Sequence, residues 1–256
     1  MQQLFWKKSG MSSLHQKTDY HNHPKEFFVE SLCVRHKGEE ILKDLSFSVQ
    51  SGSVLSIMGP NGGGKTTLFQ TLSGVKAPIS GAWGWCTGGE KTSLKTGDWS
   101  YLPQRFQGDR SFPLRVYEIL QISCPTLTPE EINHLLVLVK LEDHAQLPIA
   151  RLSEGQFQRL LFARLCAQSS AIVFLDEPFA GLDETIIDEL LELIARWKSQ
   201  GRIILLSHHN RLRALTHFPE TLVLGQKKYY YGPSTEVLAA NIWQPLHDSI
   251  CPEACC

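Results

Sequence analysis

The sequence predicts an α/β fold: a core of parallel strands and helices, an antiparallel β subdomain beside it, and an inserted helical subdomain. Three observations predict this. The first is Gly59-Pro60-Asn61-Gly62-Gly63-Gly64-Lys65-Thr66-Thr67, a glycine-rich loop directly behind the apolar run Val54 to Met58. The second is a pair of continuous apolar runs, Ala171–Leu175 and Arg202–Leu206, the pattern of strands buried on both faces. The third is a pair of helix-start signals, Thr128-Pro129-Glu130-Glu131 and Ser153-x-x-Gln156, in a stretch where strand patterns stop.

Taken in order, residues 1–25 read as a disordered leader, polar and His-rich. Between Phe27 and Val49, the apolar Val34, Leu45, Phe47 and Val49 alternate with polar residues, which predicts antiparallel strands. A strand, the glycine loop and a helix over Thr67–Leu72 follow. Residues 75–99 are rich in Gly and Trp and predict a short hairpin, returning to the sheet at Trp99–Leu102. From about 106 to 166 the pattern is helical, with helices predicted over Glu130–Val139 and Phe157–Ala167. A third helix, about Glu184 to Lys198, carries Ile186, Ile187, Leu190, Leu191, Ile194 and Trp197 at helical spacing and stops at Gly201. The strand Arg202–Leu206 closes this βαβ unit. No internal repeat is visible.

At 256 residues the chain can hold one large core, or a core with a small subdomain. A net charge of -1 and a pI near 6.8 argue against a surface that wraps nucleic acid. No run reaches the ~18 apolar residues of a membrane span, and the first residues lack the apolar centre of a signal peptide. Seven scattered cysteines suggest reduced thiols and the cytosol. Any membrane role would therefore come through a partner.

The glycine loop fits G-x-x-x-x-G-K-[ST], a phosphate-binding loop. Its glycines let backbone N–H groups turn inward around phosphates, Lys65 supplies a point charge, and Thr66 supplies a hydroxyl to Mg²⁺. The chain is thus expected to bind a nucleoside triphosphate. Asp176 and Glu177 end a buried strand, where one carboxylate can serve Mg²⁺ and the next can polarise water.

Four further segments narrow the class: Tyr101-Leu102-Pro103-Gln104, Leu152-Ser153-Glu154-Gly155-Gln156, Gly181-Leu182-Asp183 and Ser207-His208. With the loop and the carboxylates they resemble the ordered motif set of an ABC-type ATPase over roughly residues 27–235. The resemblance implies an ABC ATPase domain over 26–240, its P-loop (RecA-like) core interrupted by the helical subdomain at about 106–166, with 241–256 as a Cys-containing tail. It also implies roles. ATP would bind at Gly59 to Thr67, with Mg²⁺ held by Thr66, Gln104 and Asp176. Glu177 would be the general base, and His208 the switch histidine at the γ-phosphate; His209 would face away. Ser153, Gly155 and Gln156 would meet the phosphate on a second ATPase subunit, making a homodimer, and Asp183 would lie where the two chains cross.

Three positions depart from the family pattern. Glu154 replaces a glycine, Gly63 stands where Ser or Cys is common, and His36 takes the place of the aromatic residue that stacks on adenine. Other segments resemble the ATPase subunits of bacterial zinc/manganese-type uptake systems. These are Asp109 to Leu114, Phe162-Ala163-Arg164-Leu165, His217 to Leu222, and Tyr231-Gly232-Pro233. That resemblance implies a peripheral protein on the cytoplasmic face of the membrane. It would be coupled to an integral-membrane permease and, indirectly, to an extracytoplasmic substrate-binding protein, with no nucleic acid involved. Another cargo, such as an iron complex or a lipid, and a non-transport ABC protein are the alternatives. Arg105–Ile122, carrying Phe106, Phe112, Leu114 and Val116, is the candidate dock for a permease helix. His247, Cys251, Cys255 and Cys256 place soft ligands together in the tail.

Overall fold

Two sheets share one buried layer, and the way they face each other follows from strand alternation. The computed structural model describes residues 25–104, 110, 112–168, 170–225 and 228–239. The leader and the tail, with the candidate ligands His247, Cys251, Cys255 and Cys256, lie outside the described residues. A four-stranded antiparallel sheet, ordered β2-β1-β4-β5, holds β1 (Glu26–His36), β2 (Glu39–Gln50), β4 (Ser80–Thr87) and β5 (Glu90–Ser93). The six-stranded sheet, ordered β10-β9-β3-β8-β7-β6, holds β3 (Val54–Met58), β6 (Trp99–Leu102), β7 (Ile172–Leu175) and β8 (Ile203–Ser207). It continues through β9 (Glu220–Leu224) to β10 (Tyr229–Pro233). Neighbours among β9, β3, β8, β7 and β6 pair in parallel, while β10 runs antiparallel to β9.

The period of two divides the core. Ile172, Phe174, Ile203 and Leu205 face the antiparallel sheet, packed with Phe27, Phe47 and Phe69. Val173, Leu175, Ile204 and Leu206 face the other way, into a helical layer. Both faces are covered, which is why these strands read as unbroken apolar runs. Phe174 sits 6.1 Å from Phe27 and 6.0 Å from Phe69 between ring centroids, joining the two sheets through helix α1 (Lys65–Leu72).

Between β6 and β7 the chain forms α2 (Val116–Ser123), α3 (Pro129–Leu138), two 3₁₀ turns and α4 (Glu154–Gln168). Both predicted helix starts hold. Thr128 and Glu131 exchange side-chain and backbone bonds at 3.2 and 2.8 Å, and Ser153 and Gln156 do the same at 3.2 and 2.9 Å. α4 packs on α5 (Glu184–Ser199), where Phe162 and Trp197 stack 5.7 Å apart and nearly parallel. Two short helices, α6 (Arg211–His217) and α7 (Ser234–Val237), complete the described chain.

The predicted dock is corrected at one position. Val116 opens α2 fully buried, so it belongs to the helical core rather than to a docking surface. Leu114 also packs against that core, Phe112 is 60% exposed, and Phe106 lies outside the described residues.

Candidate active site

Parallel strands deliver their C-terminal ends to one edge of the sheet, and that is where the predicted motifs fall. β3 feeds the glycine loop, β6 feeds Gln104, β7 feeds Asp176 and Glu177, and β8 feeds His208. In the loop, Gly63 N–H donates to Pro60 O at 3.0 Å, while Asn61 and Gly62 are exposed. Gly59 has φ +144°, and a Cβ there would meet the Leu224 carbonyl oxygen at 2.2 Å. The loop therefore lies against the backbone of β9 with no room for a side chain. α1 begins at Lys65, two residues earlier than predicted, so Lys65, Thr66 and Thr67 form its first turn. Its N-cap is Gly64 in the left-handed region, and no side-chain cap bond is seen there among the described residues.

Lys65 is 5% exposed, and its Nζ donates to the carbonyls of Gly59 at 2.8 Å and Pro60 at 3.1 Å. Burial lowers its pKa, against the opposing pull of Glu177 and Asp176. Asp176 is 1% exposed; its Oδ1 accepts from Ser207 Oγ at 2.7 Å, and its Oδ2 is buried without a hydrogen bond of good geometry. Burial raises the Asp176 pKa, opposed by the hydroxyls of Ser207 and Thr66. Burial, with the Asp176 charge added, also holds the Tyr101 phenol above its ordinary range.

Glu177 is where the site converges. Its backbone is in the left-handed region at φ 50°, and its N–H donates to Ser207 Oγ at 2.8 Å. Gln104 Nε2 donates to its Oε2 at 2.7 Å, and its Oε1 lies 2.6 Å from His209 Nε2 and 3.8 Å from Lys65 Nζ.

The two histidines lie on opposite sides of the end of β8. Ser207 reaches Asp176 and Glu177, so alternation sends His208 to the opposite face and returns His209 to the carboxylate. His208 is 4% exposed, with Nε2 2.9 Å from Ser56 Oγ and its ring 5.4 Å from that of Phe218. Burial, then the charges of Arg213 and His209, push its pKa down to about 3. The contacts of Ser207 and His209 with Glu177 were not expected from the sequence.

The remaining predicted residues stand apart from this cluster. His36 is exposed at the end of β1, with Nδ1 2.7 Å from Lys76 Nζ. Its strand partner β2 supplies Ile41 and Leu42, whose side chains back Gly64. Ser153 and Gln156 close the capping box of α4, and Gln156 Nε2 is also 3.0 Å from His144 Nε2. A Cβ on Gly155 would lie 2.4 Å from the Ile186 side chain. Glu154 pairs with Arg110 at 2.9 Å, and the Arg110 guanidinium lies 3.8 Å from the centre of the Phe157 ring. Asp183 caps α5, accepting from Ile186 N–H at 3.0 Å.

Among the described residues no helix is long and apolar enough to cross a membrane. The sequence family described as ABC transporter matches residues 42–180. The manganese transport system ATP-binding protein MntB of Bacillus subtilis (strain 168) is 31% identical over 86% of this chain and 91% of its own. The zinc import ATP-binding protein ZnuC 1 of Hahella chejuensis is 35% identical over 68% of this chain and 64% of its own. A solved ATP binding subunit of an ABC transporter superposes with a TM-score of 0.72 at 24% identity, over 82% of this chain and 91% of the other. The span of that family match and the length of the shared identity leave one conclusion, that this chain belongs to the ABC transporter family and is one of its nucleotide-binding ATPases.

Proposed function

We propose that this ATPase drives zinc or manganese import through a separate integral-membrane permease. It works as a pair of identical copies on the cytoplasmic face of the membrane, with an extracytoplasmic binding protein delivering the metal. The convergence of Gln104 and Lys65 on Glu177, beside the buried Asp176 carboxylate, carries the catalytic reading. The manganese and zinc relatives support the cargo.

The phosphates of ATP would lie against the N–H groups of residues 59–67 at the start of α1, with Lys65 as the point charge. The residues fit Mg²⁺ as well: a buried carboxylate, one oxygen of which has no hydrogen bond of good geometry, stands near the Thr66 hydroxyl. Thr66, Asp176 and Gln104 would hold the ion, which when bound neutralises phosphate charge. As water attacks the γ-phosphorus and the bond to ADP breaks, Glu177 takes the water proton. Positioning and charge neutralisation provide most of the acceleration. Ser153, Gly155 and Gln156 present the start of α4 to the ATP held by the other copy, Asp183 sits at the crossing, and His36 lies under the adenine. His208, held through Ser56 at the end of β8, would be the switch histidine of this reading.

Glu177→Gln should keep ATP affinity, lose turnover and accumulate as ATP-bound pairs in size-exclusion chromatography. Hydrolysis at the wild-type rate would remove Glu177 from the role of base. Under metal limitation, cells carrying this variant should lose zinc or manganese, read by mass spectrometry of total metals. Unchanged zinc and manganese would overturn the metal cargo.

A further inference from the structure

A general base works only when its carboxylate is aimed, and a glutamate has three side-chain torsions to fix. Glu177 has its backbone N–H held by Ser207 and its Oε2 held by Gln104. Its Oε1 has two nitrogens in reach, but Lys65 Nζ is 3.8 Å away and spends its short bonds on Gly59 and Pro60. The close partner is His209, at 2.6 Å. Between an ionised carboxylate oxygen and a ring nitrogen the proton belongs on the nitrogen, because two lone pairs at that distance would repel. His209 Nε2 is therefore a donor, held in place although its side chain is 47% exposed. Ser207 ends β8 and His209 follows two residues later, so the end of this strand and the residues just past it grip both the backbone and the head group of Glu177.

We propose that His209 is a positioning residue for Glu177, fixing the orientation in which this carboxylate accepts the water proton. The proposal rests on the reading of Glu177 as the base. His209 touches neither phosphate nor metal in this assignment, so its loss acts on turnover and not on nucleotide affinity.

The test is steady-state ATP hydrolysis and ATP binding by the full chain carrying His209→Ala or His209→Gln. A glutamine amide can place an N–H near the position of Nε2. His209→Ala should lower kcat about tenfold with KM for ATP within about twofold, and His209→Gln should recover most of the loss. A second readout needs no turnover: the ¹⁵N resonance of His209, assigned by its disappearance in His209→Gln, should shift in Glu177→Gln. Wild-type kcat in His209→Ala, a raised KM at unchanged kcat, no rescue by glutamine, or an unmoved resonance would each overturn the proposal. If Glu177→Gln is inactive while His209→Ala is normal, this inference fails alone. If Glu177→Gln remains active, the assignment of the base fails and takes this inference with it.

Discussion

Two helix N-termini in this molecule are assigned to phosphate, and they are built in opposite ways. α1 starts from a glycine in the left-handed region, and neither a side-chain cap bond nor an acidic residue in its first turn is seen among the described residues. Its N–H groups and positive end are left for an anion. α4 is closed on itself: Ser153 Oγ accepts from Gln156 N–H, and the Gln156 side chain accepts from Ser153 N–H. It also carries Glu154 in its first turn. An open terminus can hold phosphate alone. A capped one offers only the N–H groups outside its box, those of Glu154 and Gly155, which suits a site completed by a second copy arriving with its nucleotide.

The largest effect should come from closing the open terminus. Gly59→Ala puts a Cβ 2.2 Å from a backbone oxygen of β9, where no side-chain rotation can relieve the clash, at a φ that favours glycine. The loop must move, at a cost on the order of 4 kcal/mol or more. ATP binding to the isolated chain should vanish in a calorimetric titration while the far-UV circular dichroism spectrum stays close to wild type. Retained affinity would mean that the loop is not held against Leu224.

The strand beneath α1 offers the next test, through His208. Its folded pKa of about 3 lies below the ordinary 6.5, so the unfolded chain takes up the proton first. Stability is intact above pH 6.5 and falls through the window from 6.5 to 3, by about 2 kcal/mol at pH 5. Arg213, His209 and Lys65 act on the ring in the same sense as burial, and the Asn210 backbone opposes them. The raised pKa of Asp176 works the other way, since its folded form protonates first and gains stability as pH falls. Chemical denaturation at pH 7 and pH 5 should therefore show His208→Asn losing about 2 kcal/mol less than wild type between the two. Equal losses would mean that the ring is not held neutral in the core.

The contrast between the two termini was partly visible in the residues themselves. Glycines and Lys65 define one start, and Ser153 with Gln156 defines the other, because both signals are local. Strand burial was legible too, from apolar runs whose alternation assigns Phe174 to one core and Leu175 to the other. What could not be read is long-range. The steric need for glycine at 59 comes from Leu224, and the reason Glu154 is tolerated involves Arg110, with 165 and 44 residues between the partners in number. The contact of His209 with Glu177 was illegible for another reason: the facing of a residue just past a strand end depends on where the ladder stops, here at Ser207. Val116 failed similarly, since a hydrophobic residue reads alike whether it opens a buried helix or lines a groove.

The capped terminus should respond more mildly. Ser153→Ala removes one half of the box and should cost about 1 kcal/mol of stability. ATP binding to a single copy should be unaffected, because the proposal puts that site at α1. Pairing and turnover should fall if α4 serves the partner's phosphate. A variant with weakened ATP binding as a monomer in ultracentrifugation would break the division of labour between the two helices.

The smallest effect, and the sharpest in sign, concerns Glu154. Its pair with Arg110 is exposed, at 64% and 32% of the two side chains, so solvent screening limits its worth to less than about 1 kcal/mol. Stability should hardly change in Glu154→Gly. Charge near the anion site changes more. With Glu154 present, Arg110 is neutralised; without it, the guanidinium held over Phe157 stands at the helix start with its charge uncompensated by that carboxylate. KM for ATP in the paired enzyme should fall in Glu154→Gly, by less than about threefold, and become more dependent on salt. Arg110→Ala should raise KM instead, because it leaves the carboxylate facing the incoming phosphate. The double variant should return to near wild type. If both single variants moved KM in the same direction, the pair would be a structural tie between the segment after β6 and α4. Its charges would then have no part in how the capped terminus receives phosphate.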